Sequence, residues 1–165
     1  MEKYVSLAMQ LGMNDAKIIS SEAVYFDNRA FLKCRWGCEH SKNQTIKCDT
    51  RETTLLERQD MFKKYKNILL VHSHDAVELT KALLEIERVA FLDGHYFAFA
   101  IRYCNYCSSC NILNGNACPH PDKVRPCEQL FGIDVFKTVK ELGYSIKVLT
   151  KKDEIQNRYG FVLIN

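Results

Sequence analysis

Eight cysteines stand out in this sequence of 165 residues, and seven of them fall into two clusters. The tighter cluster is Cys104, Cys107, Cys110 and Cys118, spaced C-x2-C-x2-C-x7-C and followed by Pro119. Two-residue spacings allow successive sulfurs to converge on one metal centre without straining the intervening backbone. The pattern is close to the ferredoxin run that holds a 4Fe–4S cluster, although there the fourth cysteine follows sooner and serves another cluster. We therefore predict that these cysteines bind one iron–sulfur cluster.

Zinc and disulfides are the alternatives for these thiols. Structural zinc sites usually take their ligands as separated pairs, which a triple C-x2-C-x2-C run fits less well. Disulfides are compatible with the even cysteine count. The sequence starts without a recognisable export signal, so we expect a cytoplasmic protein whose thiols stay reduced. Iron is favoured over zinc, but the spacing alone leaves the metal open.

The looser cluster is Cys34, Cys38 and Cys48, spaced C-x3-C-x9-C. A fourth ligand could come from Cys127 or His40, or be absent. Without it, an iron–sulfur cluster would keep one iron open to a substrate or a small anionic ligand, as a catalytic zinc keeps an open position. We expect a second cluster or metal here, with unrelated thiols as the alternative. The sequence does not decide whether the two cysteine clusters face each other.

Positive charge surrounds the looser cluster. From Arg29 to Lys66 there are ten Lys and Arg against five Asp and Glu. Basic residues favour thiolates and offset the negative charge of a thiolate-bound cluster. The stretch lacks a dense basic block and any recognisable nucleic-acid module, so we do not expect nucleic acid as a partner. No apolar run is long enough to span a membrane, and we expect no membrane partner either.

The sequence contains none of the common nucleotide-binding or hydrolytic motifs, so it does not say whether the protein is an enzyme. The leading prediction is an iron–sulfur electron carrier or accessory redox protein that works with a redox partner protein. One alternative is an enzyme that uses an open iron at the looser cluster, in sulfur transfer or lyase chemistry. Another is a zinc-stabilised interaction module.

The elements that must position these cysteines follow from hydrophobic periodicity and from capping residues. We predict helices at 2–11, 53–65, 75–91 and 133–142, and strands at 16–25, 30–32, 67–72, 95–103, 144–149 and 159–164. The polar stretch 38–49 is predicted to be a loop. The order of elements indicates one α+β domain over residues 1–165, with a mixed β-sheet, helices packed mainly on one face, and cysteine-rich metal loops.

Several short motifs are spread over most of the chain: YCNYCSSC at 103–110, CPHP at 118–121, Arg125-Pro126, GIDV at 132–135, Gly143, and the cysteines at 34, 38 and 48. On these motifs the chain resembles an uncharacterised family of predicted metal-binding proteins of anaerobic bacteria and archaea. The resemblance implies metal binding, with iron–sulfur as the expected form, in anaerobic metabolism, and it brings no established reaction.

The chain departs from that family at two positions. Cys48 is followed by Asp49 and Thr50, where the family typically has two prolines. Cys127 stands where the family tends to have serine, which implies that Cys127 is not an obligatory ligand.

Overall fold

An antiparallel sheet of four strands, in the order β1-β2-β4-β3, forms the centre of the fold. The computed structural model describes residues 1–165 and gives strands β1 (Asp15–Ile19), β2 (Ile68–Ser73), β3 (Phe99–Ile101) and β4 (Arg158–Leu163). In the register, Leu70 pairs with Lys17 on one side and with Phe161 on the other. The apolar run of β2 is buried because this strand has neighbours on both sides and cover on both faces.

Six helices surround the sheet: α1 (Glu2–Gln10), α2 (Asn28–Gly37), α3 (Glu39–Lys42), α4 (Leu55–Lys63), α5 (Ala76–Leu92) and α6 (Val135–Glu141). Short 3-10 turns occur at Ser21–Ala23, Ile46–Cys48, Ile112–Asn114, Pro121–Lys123 and Glu128–Phe131. Local capping explains where the predicted helices begin. The Asp75 side chain accepts hydrogen bonds from the first backbone amides of α5, and Thr54 forms a capping box with Glu57 at α4. No helix combines the length and apolar character that crossing a membrane requires.

Helices cover both faces of the sheet, whereas the sequence suggested mainly one. Helices α1 and α5 pack on one face, with Tyr4 and Leu83 in its core. Helices α4 and α6 and the turn Glu128–Phe131 cover the other, with Phe62 and Phe131 in its core. The physical reason is the apolar character of the central strands: alternate residues point to opposite faces, so each face needs its own cover.

The prediction of an α+β fold is confirmed, but the sheet is antiparallel throughout and not mixed. β2 is followed by α5 and β3, an order that suggests parallel neighbours. β4 lies between β2 and β3, however, and runs antiparallel to both. This insertion is a long-range pairing that the order of elements does not reveal.

Other differences from the predicted elements are local. Residues 30–32 belong to α2, which Asp27 caps, and not to a strand. The stretch 38–49 contains α3 and a 3-10 turn, the strand predicted at 95–103 is limited to Phe99–Ile101, and 144–149 forms no strand. The N-terminal cysteines therefore lie on or beside helices: Cys34 is inside α2, and Cys38 lies between α2 and α3.

Candidate metal centres

The four cysteines of the C-x2-C-x2-C-x7-C run line one cavity of about 220 Å³, here called the C-terminal cysteine site. Strand β3 ends at Ile101, and the chain then leaves the sheet to form the loop that carries them. Cys104, the nearest to the strand, is buried, whereas Cys107, Cys110 and Cys118 are half-buried. The cavity therefore combines one buried thiol with three partly exposed ones.

Lys47 is the charged residue of this cavity, and it is 5% exposed. Its Nζ donates a hydrogen bond of 2.7 Å to the carbonyl oxygen of Cys104 and lies 4.7 Å from the ring centroid of Tyr103. Ten ion pairs are present in the structure, and none of them includes Lys47. A buried ammonium group without a carboxylate is costly, so its position beside the thiols indicates a site built to hold negative charge.

The surroundings of the Cys104 thiol act on its pKa in opposite directions. Burial raises its pKa, and the neighbouring Cys118 and Cys107 act in the same direction. The backbone amide of Tyr106 and the charge of Lys47 lower the pKa of Cys104. The raised value means that binding of a metal at this cysteine would release a proton, because the thiolate is the ligand.

His40 and Tyr103 close the inner side of the same cavity. The Nδ1 atom of His40 lies 3.0 Å from Thr45 Oγ1, and its ring centroid lies 5.7 Å from that of Tyr103. Burial, with a smaller effect from Lys47, lowers the pKa of His40 and keeps the ring neutral. The sequence offers His40 as a possible fourth ligand for the N-terminal cysteines, and the structure shows that it lines the cavity of the C-terminal cysteine site.

The N-terminal cysteines form a second group that includes Cys127. The neighbouring thiols of Cys127 and Cys48, with a smaller effect from Cys38, hold the pKa of Cys34 far below its usual range. The same interaction with Cys34, together with burial, raises the pKa of both Cys48 and Cys127. Cys34, Cys38 and Cys127 line one cavity, and Cys48 is near enough to Cys34 for each to shift the other's pKa, so we call these four residues the N-terminal cysteine site.

Separate elements deliver these thiols. Cys34 lies inside α2 and Cys38 directly follows this helix, where the Cys38 amide donates to the Cys34 carbonyl oxygen at 3.0 Å. Cys48 ends a 3-10 turn, and Cys127 comes just before the turn Glu128–Phe131. Cys127 is 3% exposed and packs in the core under the sheet. Nothing local in the sequence signals its nearness to Cys34, since long-range folding brings them together.

The two cysteine sites are neighbours, which answers the question left open by the sequence. Tyr103 lines the cavity of the C-terminal cysteine site and a second cavity that Cys34, Cys38 and Cys127 also line. The pKa of Tyr103 is raised first by burial, and Cys38 and Cys110, one from each site, add to this. Lys47 and Cys48 are consecutive residues, and Lys47 belongs to the C-terminal cysteine site whereas Cys48 belongs to the N-terminal one. Tyr103 is therefore common to the linings of the two cavities.

All eight cysteines are free thiols in this structure. No group of three or more His, Cys, Asp or Glu side chains is already arranged to hold a single metal ion. The donor set of the C-terminal cysteine site nevertheless fits an iron–sulfur cluster. It offers soft sulfur ligands, a cavity, and a buried positive charge with no carboxylate partner.

No curated protein and no solved structure matches the chain significantly. Residues 17–164 match the model of a family described as predicted metal-binding protein (DUF2284). The matched range includes all eight cysteines. Because the match extends over nearly the whole sequence, the chain belongs to this family of predicted metal-binding proteins.

Proposed function

We propose that Cys104, Cys107, Cys110 and Cys118 hold a 4Fe–4S cluster and that the protein is an electron carrier or accessory redox protein. One observation carries the proposal: these thiols line a single cavity whose charged residue, Lys47, is buried and has no carboxylate partner. A bound cluster would supply a one-electron redox couple. The residues of the chain bind it, balance its charge and control how far it is exposed.

The charge of Lys47 suits a thiolate-rich cofactor. Thiolate ligands bring negative charge into a partly buried site, where its repulsion is weakly screened. The Lys47 ammonium is held in place by the Cys104 carbonyl oxygen and by the face of the Tyr103 ring. A fixed positive charge favours the more negative, reduced state, so we expect Lys47 to raise the reduction potential of the site.

The exposure of the loop suits exchange of electrons with a partner protein. Ser108 and Ser109, which separate Cys107 from Cys110, are exposed, and the two cysteines are half-buried. A redox partner could therefore approach this edge of the site, while the sheet and Tyr103 keep water from the inner side. A fully enclosed site would not permit such an approach.

The N-terminal cysteine site is proposed to hold a second cluster or metal on Cys34, Cys38 and Cys48, with Cys127 as the candidate fourth ligand. An enzyme that uses an open iron at this site, in sulfur transfer or lyase chemistry, is the second candidate function. It is favoured by a cavity of about 520 Å³ against Cys34 and Cys38, because a substrate needs such a space.

The experiment is an analysis of protein purified without exposure to air. Iron and acid-labile sulfide should be present, with broad visible absorption. Cys107→Ser should lose the iron and sulfide that the C-terminal cysteine site binds. Ser109→Ala, an exposed change in the same loop, is the matched control and should keep the wild-type content of both. Stoichiometric zinc without sulfide would contradict the redox proposal and would favour a zinc-stabilised interaction module.

A further inference from the structure

The cavity beside the N-terminal cysteine site has a volume of about 520 Å³ and a mixed lining. Besides Cys34 and Cys38, its polar residues include Arg102 and Arg158, with the carboxylates Glu128 and Asp134. Its apolar residues include Ile133, Val135, Phe136, Ile146 and Tyr159. The volume lies in the range of small-molecule sites, which combine apolar walls with a few polar groups that orient the ligand.

Arg102 has hydrogen-bonding capacity that the protein does not use. Its Nη1 donates to Glu128 Oε1 at 3.2 Å, and this carboxylate is itself buried. Its Nε is buried and has no hydrogen-bond partner. Unsatisfied buried donors are rare in folded proteins, so a further hydrogen-bond acceptor at this atom would be favourable.

Arg158 brings a second guanidinium group to the same cavity. Its Nη1 donates to the backbone carbonyl oxygens of His74 at 2.7 Å and Gln156 at 3.3 Å, and it forms no ion pair. Burial, and to a lesser degree the charge of Arg102, lowers the pKa of Arg158. Both guanidinium groups are half-buried and line the same cavity, so an anion bound near them would be stabilised by their charge.

We propose that this cavity binds a small organic carboxylate with an apolar body, with the carboxylate at Arg102 and Arg158 and the body against Ile133 and Phe136. The fork of an arginine side chain matches a carboxylate in geometry and charge. The apolar part of the lining distinguishes such a ligand from a simple inorganic anion. The proposal goes beyond the electron-carrier function and does not require metal at either cysteine site, although it places the ligand next to Cys34 and Cys38.

Calorimetric titration with benzoate and with benzamide tests the proposal, because the two probes have nearly the same shape and differ in charge. We expect benzoate to bind at least about tenfold more tightly than benzamide, as a charge-assisted contact requires. Arg158→Gln should weaken benzoate binding by about tenfold and leave benzamide binding unchanged. Lys151→Gln, an exposed change outside the cavity, should alter neither.

A double variant, Arg102→Gln with Glu128→Gln, removes the second guanidinium without leaving a buried carboxylate unpaired, and it should weaken benzoate binding as well. Equal affinity for benzoate and benzamide, or binding of neither by folded protein, would overturn the proposal. Inorganic phosphate that binds as tightly as benzoate would overturn the role of the apolar part of the lining. Iron and sulfide are measured in the same samples. The metal content then tests the iron–sulfur proposal, and the titration tests carboxylate binding independently of it.

Discussion

Replacing Lys47 by methionine removes a buried charge while keeping a side chain of similar length. In protein without metal the change has opposing effects. The lost hydrogen bond from a charged donor to the Cys104 carbonyl oxygen costs about 1.5–3 kcal/mol, and the lost contact with the Tyr103 ring costs about 1–2 kcal/mol. These two costs are offset, because the variant no longer buries an unpaired ammonium, whose desolvation costs several kcal/mol. We therefore expect little change in the free energy of unfolding of the metal-free protein.

The metal-bound protein should respond differently. With about 8 Å as a working separation and an effective dielectric constant of about 20, each unit of net negative charge would attract the ammonium by about 2 kcal/mol. Lys47→Met should therefore weaken metal retention about 30-fold for each such unit. One-electron reduction of the bound cluster adds one negative charge. The same energy of about 2 kcal/mol therefore makes the reduction potential of Lys47→Met lower than that of the wild type by about 90 mV.

Chelator competition, a potentiometric titration and urea unfolding of the metal-free protein measure these quantities. Lys47→Arg should recover most of the potential because it keeps the charge, and Lys42→Met, an exposed change on α3, should have almost no effect. The reasoning is refuted if Lys47→Met leaves the potential and metal retention at wild-type values. It is also refuted if the metal-free protein is destabilised as strongly as the metal-bound one, since Lys47 would then be a purely structural residue.

The remaining predictions concern single side chains. The family resemblance implies that Cys127 is dispensable, but its place in one cavity lining with Cys34 and Cys38 predicts otherwise. Cys127→Ser should reduce metal at the N-terminal cysteine site and leave the C-terminal one loaded, as metal analysis against Cys107→Ser can show. Unchanged metal content would mean that Cys127 only packs in the core. Gly160→Ala should destabilise the fold by about 1–3 kcal/mol in urea unfolding, because a Cβ there would lie 2.4 Å from Leu83 Cδ1 of α5. Wild-type stability of Gly160→Ala would mean that α5 packs less closely on β4 than the structure shows.

The helices that the sequence predicted well have strong local signals. Asp75 begins α5 and Thr54 begins α4 through side-chain caps, which depend only on the next few residues. The apolar run of β2 also predicts its strand correctly, because a central strand that is buried on both faces consists almost entirely of apolar residues. The prediction of a strand at residues 30–32 is wrong, because a short apolar run fits a strand or a helix equally well. The helix cap at Asp27 is the local signal that favours a helix.

The features that the sequence did not predict depend on long-range folding. Insertion of β4 between β2 and β3 makes the sheet antiparallel, and no local pattern encodes it. The burial of Lys47 and the approach of Cys127 to Cys34 likewise depend on segments far apart in the chain. The cysteine spacing therefore predicts which residues bind metal, and the fold adds the charge and the cavities that surround them.

Electron paramagnetic resonance of the reduced protein, purified and kept without oxygen, tests the central claim most directly. The account predicts an iron–sulfur signal in the wild type that Cys107→Ser diminishes, because the C-terminal cysteine site loses its cluster while the N-terminal one can keep its own. Protein that is folded, contains stoichiometric zinc and gives no iron–sulfur signal under these conditions would contradict it.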